Sequence, residues 1–145
     1  MVVRDLLQKK PPLLVTIDSH EHVGAAARLL MDRGVGSLVV IDENRALAGI
    51  VGERDIVAAL HQHPGDVRRL RVTAIMRRAP TCSPEDSVTD VMQRMSEERL
   101  RHLVVVGNGT PVGVISVGDI VRQRVMELET ETGVLRDYVA AHRAI

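Results

Sequence analysis

Aromatic residues are almost missing from this 145-residue chain: it has no tryptophan and no phenylalanine, and Tyr138 is its one tyrosine. That absence removes the stacking platforms on which proteins hold single-stranded nucleic acid. It also forces the interior to be built from Val, Leu, Ile, Met and Ala, so any flat ring bound here lies between aliphatic side chains. Net charge is missing as well. The 19 Lys and Arg balance the 19 Asp and Glu, and no overall field draws nucleic acid or an anionic membrane to the chain. No apolar run approaches the roughly 20 residues of a membrane-spanning helix. The opening Met1-Val2-Val3-Arg4-Asp5-Leu6 has charges where the apolar stretch of a signal peptide would begin. Cys82 is the single cysteine; with no partner in the chain it implies a reducing compartment. These absences describe a cytoplasmic, globular chain with neither nucleic acid nor membrane among its partners.

What the chain does have is itself, twice. Gly49-Ile50-Val51-Gly52-Glu53-Arg54-Asp55-Ile56-Val57 returns as Gly113-Val114-Ile115-Ser116-Val117-Gly118-Asp119-Ile120-Val121, 64 positions on. Ser37-Leu38-Val39-Val40-Ile41 returns as His102-Leu103-Val104-Val105-Val106, 65 positions on, so one residue is lost in the turn between the two blocks. A unit this long, present only twice, is not a solenoid. Each copy is too small to bury much surface alone, and the two are expected to pack face to face around a pseudo-two-fold axis. Every pocket then has a sister, and differences between the sisters carry functional information.

Each copy reads as strand–helix–strand–strand–helix, led by a short apolar helix at Val3 to Leu7 and at Val72 to Met76. A strand is expected at Leu14–Ile17, then a helix capped by Asp18 with Glu21 three residues later. Val23, Ala26, Ala27, Leu30 and Met31 supply its apolar face, and Gly34 ends it. In the second copy Pro80-Thr81-Cys82 is the strand. Ser83-Pro84-Glu85-Asp86 reads as N-cap, first-turn proline and first-turn acids, with Val88, Val91, Met92 and Met95 as the apolar face. Two apolar strands and a second helix follow in each copy. His61-Gln62-His63-Pro64-Gly65-Asp66 reads as the linker, giving units at 1–66 and 67–127 and a helical extension at 128–145. In that extension Val121, Val125, Leu128, Thr132, Leu135 and Val139 alternate by four and three residues, as in a heptad seam. Helix-mediated self-association is favoured slightly over a helix packed on its own domain and broken at Gly133.

Ser116 and Asp119 carry the most chemistry. The hydroxyl ends a strand and the carboxylate follows one helical turn later, at a helix N-terminus where free N–H groups favour an anion. A carboxylate so placed can accept both hydroxyls of a ribose. Ser-x-x-Asp is equally a capping box that needs no ligand. In the first copy Gly52 stands where Ser116 stands, although Asp55 remains. Arg54 beside it reads either as a phosphate contact or as a solvated helix charge. His20-Glu21-His22 and His61-Gln62-His63 have metal-binding residue types, but the first pair diverges around a helical turn and the second lies in the linker; no metal site is expected. Cys82 reads as a small buried apolar residue, not a nucleophile.

The doubling, the order of elements, Val72-Thr73-Ala74-Ile75-Met76, Arg101-His102-Leu103-Val104-Val105-Val106 and Gly113-Val114-Ile115-Ser116-Val117-Gly118-Asp119 together resemble the CBS domain (cystathionine β-synthase domain) family. The resemblance runs from about Val3 to about Met126, and the tail Leu128 to Tyr138 looks like that of small stand-alone bacterial CBS pairs. It implies an α+β tandem module that binds adenosine-containing ligands and dimerises into a flat disc. It makes Ser116 and Asp119 ribose contacts and sends Arg101 and His102 toward phosphates, a role that suits arginine's planar fork. The matching first-copy positions, Gly36 and Ser37, carry no charge. The adenine floor would come from Thr81, Cys82 and Val114, with Thr16, Ile17 and Ile50 at the sister site.

No paired acid and base, activated nucleophile or Walker-type phosphate loop is present in the sequence, so no catalytic residue is assigned and no enzyme is expected. The leading reading is a regulatory sensor that requires no cofactor. Its ligand is an adenine nucleotide of the AMP, ADP or ATP class, with NAD(H) or S-adenosylmethionine as further candidates. Binding between the repeats shifts them relative to one another, and a separate regulated protein reads the shift. The alternative is a ligand-independent structural homodimer with vestigial clefts, which Gly52 favours.

Overall fold

In the computed structural model, which describes residues 1–10 and 14–143, each repeat forms a three-stranded sheet backed by helices. The first repeat contains α1 (Val3–Gln8), β1 (Thr16–Asp18), α2 (Val23–Arg33), β2 (Ser37–Ile41), β3 (Leu47–Gly52) and α3 (Glu53–Gln62). Single 3-10 turns at Val67–Arg69 and Val72–Ala74 lead to β4 (Thr81–Cys82), α4 (Val88–Glu98), β5 (His102–Gly107), β6 (Thr110–Ser116) and α5 (Val117–Arg143). The strand orders are β1-β2-β3 and β4-β5-β6, with the first pair parallel and the second antiparallel in each. The α+β class and the doubled unit expected from the sequence are what the chain adopts.

After their first residues, Ser37 and His102, β2 and β5 are apolar because both of their faces are covered. Side chains alternate across a strand, and here the alternation separates two destinations. Leu38, Val40 and Val51 pack with Ala26 and Leu30 of α2, while Leu103, Val105 and Ile115 pack with Val88, Val91 and Met95 of α4. The intervening Val39, Ile41 and Ile50 meet Val104, Ala79 and the half-buried Val114 and Val106, forming a seam between the two sheets. Each fully buried aliphatic side chain is worth about 1.5–3 kcal/mol, and the seam couples two units that are thin on their own.

The leading elements are exchanged. Val3 and Leu6 of α1 lie in the second repeat's core beside Cys82 and Ile115, whereas Val72 lies in the first repeat's core beside Ile17 and Ala26. Glycines make room for the crossing segments. A Cβ on Gly113 would come within 2.8 Å of Leu7, and one on Gly49 within 2.7 Å of the Arg77 carbonyl oxygen.

This exchange explains why two helices begin later than the sequence indicates. Asp18 ends β1 and Ser83–Asp86 forms a turn, with α2 starting after His22 and α4 after Ser87. Neither helix has a side-chain cap. The Val23 N–H instead donates to the Leu70 carbonyl at 2.8 Å, and the Val88 N–H to the Met1 carbonyl at 3.1 Å. Backbone from the crossing segments thus satisfies donors that a cap would otherwise serve.

α5 is unbroken at Gly133 and spans 27 residues, about 40 Å at 1.5 Å per residue. Ile120 and Gln123 face its own domain, while Val121, Val125, Leu128, Leu135 and Val139 remain 40–62% exposed. The heptad row therefore points away from the domain. Among the described residues no helix is long and apolar enough to cross a membrane.

Candidate functional site

Two related constellations form where the third strand of each sheet becomes a helix. At the end of β6, the Asp119 carboxylate accepts the Ser116 N–H at 2.8 Å, and the Ser116 hydroxyl accepts the Asp119 N–H at 3.1 Å. The capping box is therefore formed. At the end of β3, Asp55 accepts the Gly52 N–H at 2.7 Å, with no hydroxyl to return the bond. A Cβ on Gly52 would stand 3.0 Å from the Gly36 carbonyl oxygen, so close approach of that carbonyl keeps the position small.

Each carboxylate also meets a cation that the sequence did not flag. Lys10 Nζ lies 2.7 Å from Asp119 Oδ2, with side-chain exposures of 18% and 10%. Arg77 Nε lies 2.6 Å from Asp55 Oδ1. Both bases come from the segment after the exchanged element of the other repeat. The signal was present as two basic pairs, Lys9-Lys10 and Arg77-Arg78, each following a leading element. Arg122 adds a second positive group at this carboxylate, 3.6 Å from Asp119 Oδ1. Arg54 is exposed on α3, and it is Arg77 that pairs with Asp55.

The charges set the titration of the site. Partial burial works against the Asp119 carboxylate, but the hydrogen bonds and charge of Lys10 and the donors of Ser116 outweigh it and hold its pKa below the ordinary aspartate value. His102 sits opposite Ser116 across the β5–β6 pair. Loss of solvent around the ring, then repulsion by Lys10 and Arg101, lowers its pKa against the pull of Asp119. The shift favours the neutral ring. Arg101 is exposed at the strand start, and its carbonyl accepts the Val117 N–H at 3.0 Å.

The remaining candidates divide by strand face. Thr16 pairs with Val39 and Thr81 with Val104, which puts both threonines on the seam side with Ile50 and Val114. Ile17 pairs with Val40 and Cys82 with Val105, so both turn to the helix-covered cores instead. Burial is the chief cause that pushes the Cys82 thiol up to about 11, with the charge of Asp86 adding to it. His20 pairs with Glu43 at 2.8 Å on the surface, and no group of three or more His, Cys, Asp or Glu among the described residues could hold a metal ion. A groove of about 520 Å³ lined by Arg4, Leu7, Pro84 and Val112 is separate from both constellations, and its arginine is paired with Glu85.

The CBS domain family profile matches residues 3–62 and 72–125 of this chain. The mitochondrial CBS domain-containing protein CBSX3 of Arabidopsis thaliana is 34% identical over 119 residues, covering 79% of this chain and 58% of the relative. The chain spans less than two thirds of the length of that curated relative. Among solved structures, the CBS-domain protein ATU1752 of Agrobacterium tumefaciens superposes with a TM-score of 0.74 at 32% identity, covering 85% of this chain and 92% of that one. The CBS domain protein PAE2072 of Pyrobaculum aerophilum, solved in complex with AMP, gives 0.75 at 29% identity, covering 91% and 99%.

Proposed function

Because this chain belongs to the CBS domain family as a tandem pair, we propose that it is a non-catalytic sensor module that binds adenosine-containing ligands of the AMP, ADP and ATP class between its repeats. Ser116 and Asp119 take the ribose, and Arg101, Arg122 and Lys10 face the phosphates. The seam-side Thr81 and Val114 floor the adenine. The expectation that Ile17 and Cys82 join the floor is set aside, since their strand partners lie in the helix-covered cores.

The observation that carries this reading is the charge balance around Asp119. One carboxylate, a tenth exposed, has Lys10 and Arg122 within 4 Å and stands at the N-terminus of α5. The surplus positive charge suits a ligand with a diol at one end and a phosphate at the other. The AMP complex of the Pyrobaculum aerophilum protein supports the ligand class. The proposed units are 1–66 and 67–127, with a C-terminal extension at 128–145 whose residues 144 and 145 lie outside the described residues. Second copies cover the exposed row on α5, making a homodimer whose occupancy a separate protein reads. A cytoplasmic location is part of the proposal; because the plant relative is mitochondrial by name, cell fractionation is its check.

Mass spectrometry of whatever co-purifies, followed by calorimetric titration with AMP, ATP, NAD(H) and S-adenosylmethionine, tests the ligand class. Binding of at least one adenosine ligand at micromolar concentration is expected. Failure of all four returns the chain to the alternative, a ligand-independent structural homodimer with vestigial clefts, which Gly52 and the ion pairs Lys10–Asp119 and Arg77–Asp55 favour.

A further inference from the structure

The two constellations differ in how their cation is held. In the first, the Arg77 backbone is fixed to β3: its N–H donates to the Ile50 carbonyl at 2.8 Å, and its carbonyl accepts the Ile50 N–H at 2.9 Å. Only its side chain is left to meet Asp55. Val114 is the repeat counterpart of Ile50. Its carbonyl is met by a side chain instead, Lys10 Nζ at 2.7 Å, and the same ammonium reaches Asp119 at 2.7 Å. A flexible four-carbon stem therefore performs both tasks that Arg77 divides between backbone and guanidinium. The stem can swing away without breaking a backbone ladder.

Lys10 thus lies where a ribose diol would bind, with two strong acceptors and little exposure. Resting on the ribose role of Asp119 proposed above, we propose that Lys10 is a resident cation that makes the second cleft select anionic over neutral or cationic adenosine ligands. A ribose that takes Asp119 displaces the ammonium from its carboxylate. A phosphate on the same ligand gives it a new partner, whereas adenosine leaves it without one and S-adenosylmethionine offers a single carboxylate alongside two positive charges of its own. Arg101 and Arg122 add to phosphate binding in any case, so the preference for AMP has two parts, and only the part due to exchange depends on Lys10.

The test is calorimetric titration of the full chain with AMP, adenosine and S-adenosylmethionine, for the wild type, Lys10→Met and Lys10→Arg. The wild type is expected to prefer AMP to adenosine by tenfold or more, on the order of one charge-assisted hydrogen bond. In Lys10→Met adenosine tightens, AMP weakens, and the gap narrows by about tenfold; Lys10→Arg keeps it. A gap of unchanged size in Lys10→Met overturns the exchange while leaving nucleotide sensing intact. Equal affinity of the wild type for AMP and adenosine overturns it without any variant. Absence of binding by all three ligands to wild type and variants removes the nucleotide reading and this proposal together.

Discussion

Replacing Asp119 separates a ligand role from a structural one, and two substitutions do it better than one. Asp119→Asn keeps an oxygen that can accept the Ser116 N–H, now 2.8 Å away, but removes the charge. Asp119→Ala removes both. If Asp119 binds ribose, either change deletes a charge-assisted hydrogen bond worth about 1.5–3 kcal/mol, roughly a 10- to 150-fold loss of affinity. If Asp119 is only a cap, Ala costs about 0.5–2 kcal/mol of stability and affinity is unmoved. Asn should cost the fold less than Ala, since both lose the ion pair with Lys10 but the amide oxygen retains the cap. Calorimetry with AMP at pH 7 reads the first quantity. Urea unfolding followed by far-UV circular dichroism reads the second, the chain having no tryptophan. The sign of the pH effect follows from the lowered pKa of Asp119. Its stabilisation is present above the ordinary aspartate value of about 3.9 and is lost as pH falls through the lower folded value. Wild type should therefore lose more stability than Asp119→Asn below about pH 4. Unchanged AMP affinity in Asp119→Asn, with a lower urea midpoint only in Asp119→Ala, would refute the ribose assignment.

Sedimentation at micromolar concentration should give a dimer, and Val121→Asp with Leu128→Asp should give a folded monomer, because both side chains are more than half exposed within one chain; a monomeric wild type contradicts this. Titration with AMP should show one site per chain or two unequal classes, since Gly52 lacks the hydroxyl and a neutral hydrogen bond is worth about 0.5–1.5 kcal/mol; two identical sites contradict the asymmetry. The Cys82 thiol, pushed up to about 11 by burial, should ignore a disulfide reagent at pH 8 until urea unfolds the chain, and fast reaction of the native protein would show that the side chain is not enclosed.

The parts of this fold legible in the sequence are those fixed by local pattern. The repeated Gly49–Val57 and Gly113–Val121 segments mark strand and helix in both copies, and Gly34, at φ 62°, ends α2 where its lack of a side chain allows. The helix starts at Val23 and Val88 were misplaced because their first N–H groups are met by Leu70 and Met1, far away in sequence. The face of Cys82 escaped for a different reason: β4 has two residues, too few for alternation to declare which side is which. Lys10 and Arg77 escaped because exchange of the leading elements brings them to carboxylates 109 and 22 positions away. No spacing rule reaches across that crossing.

The same crossing limits how large a ligand-driven movement can be. A hinge that opened the repeats widely would have to withdraw α1 from the second core and Val72 from the first, and to part Val39 and Ile50 from Val104. Each of these side chains is at most 6% exposed or contributes to a core that is, and exposing an aliphatic residue costs about 1.5–3 kcal/mol. Several at once exceed the 1–3 kcal/mol typical of coupling between sites. If the proposed ligand binds, the expected movement is therefore small and local: Lys10 leaves Val114 and Asp119, and the change is felt at the start of α5. Hydrogen exchange with and without AMP should alter protection near α1 and at the start of α5 and leave β2 and β5 unchanged. Loss of protection in β2 and β5 on binding would instead require the seam to open.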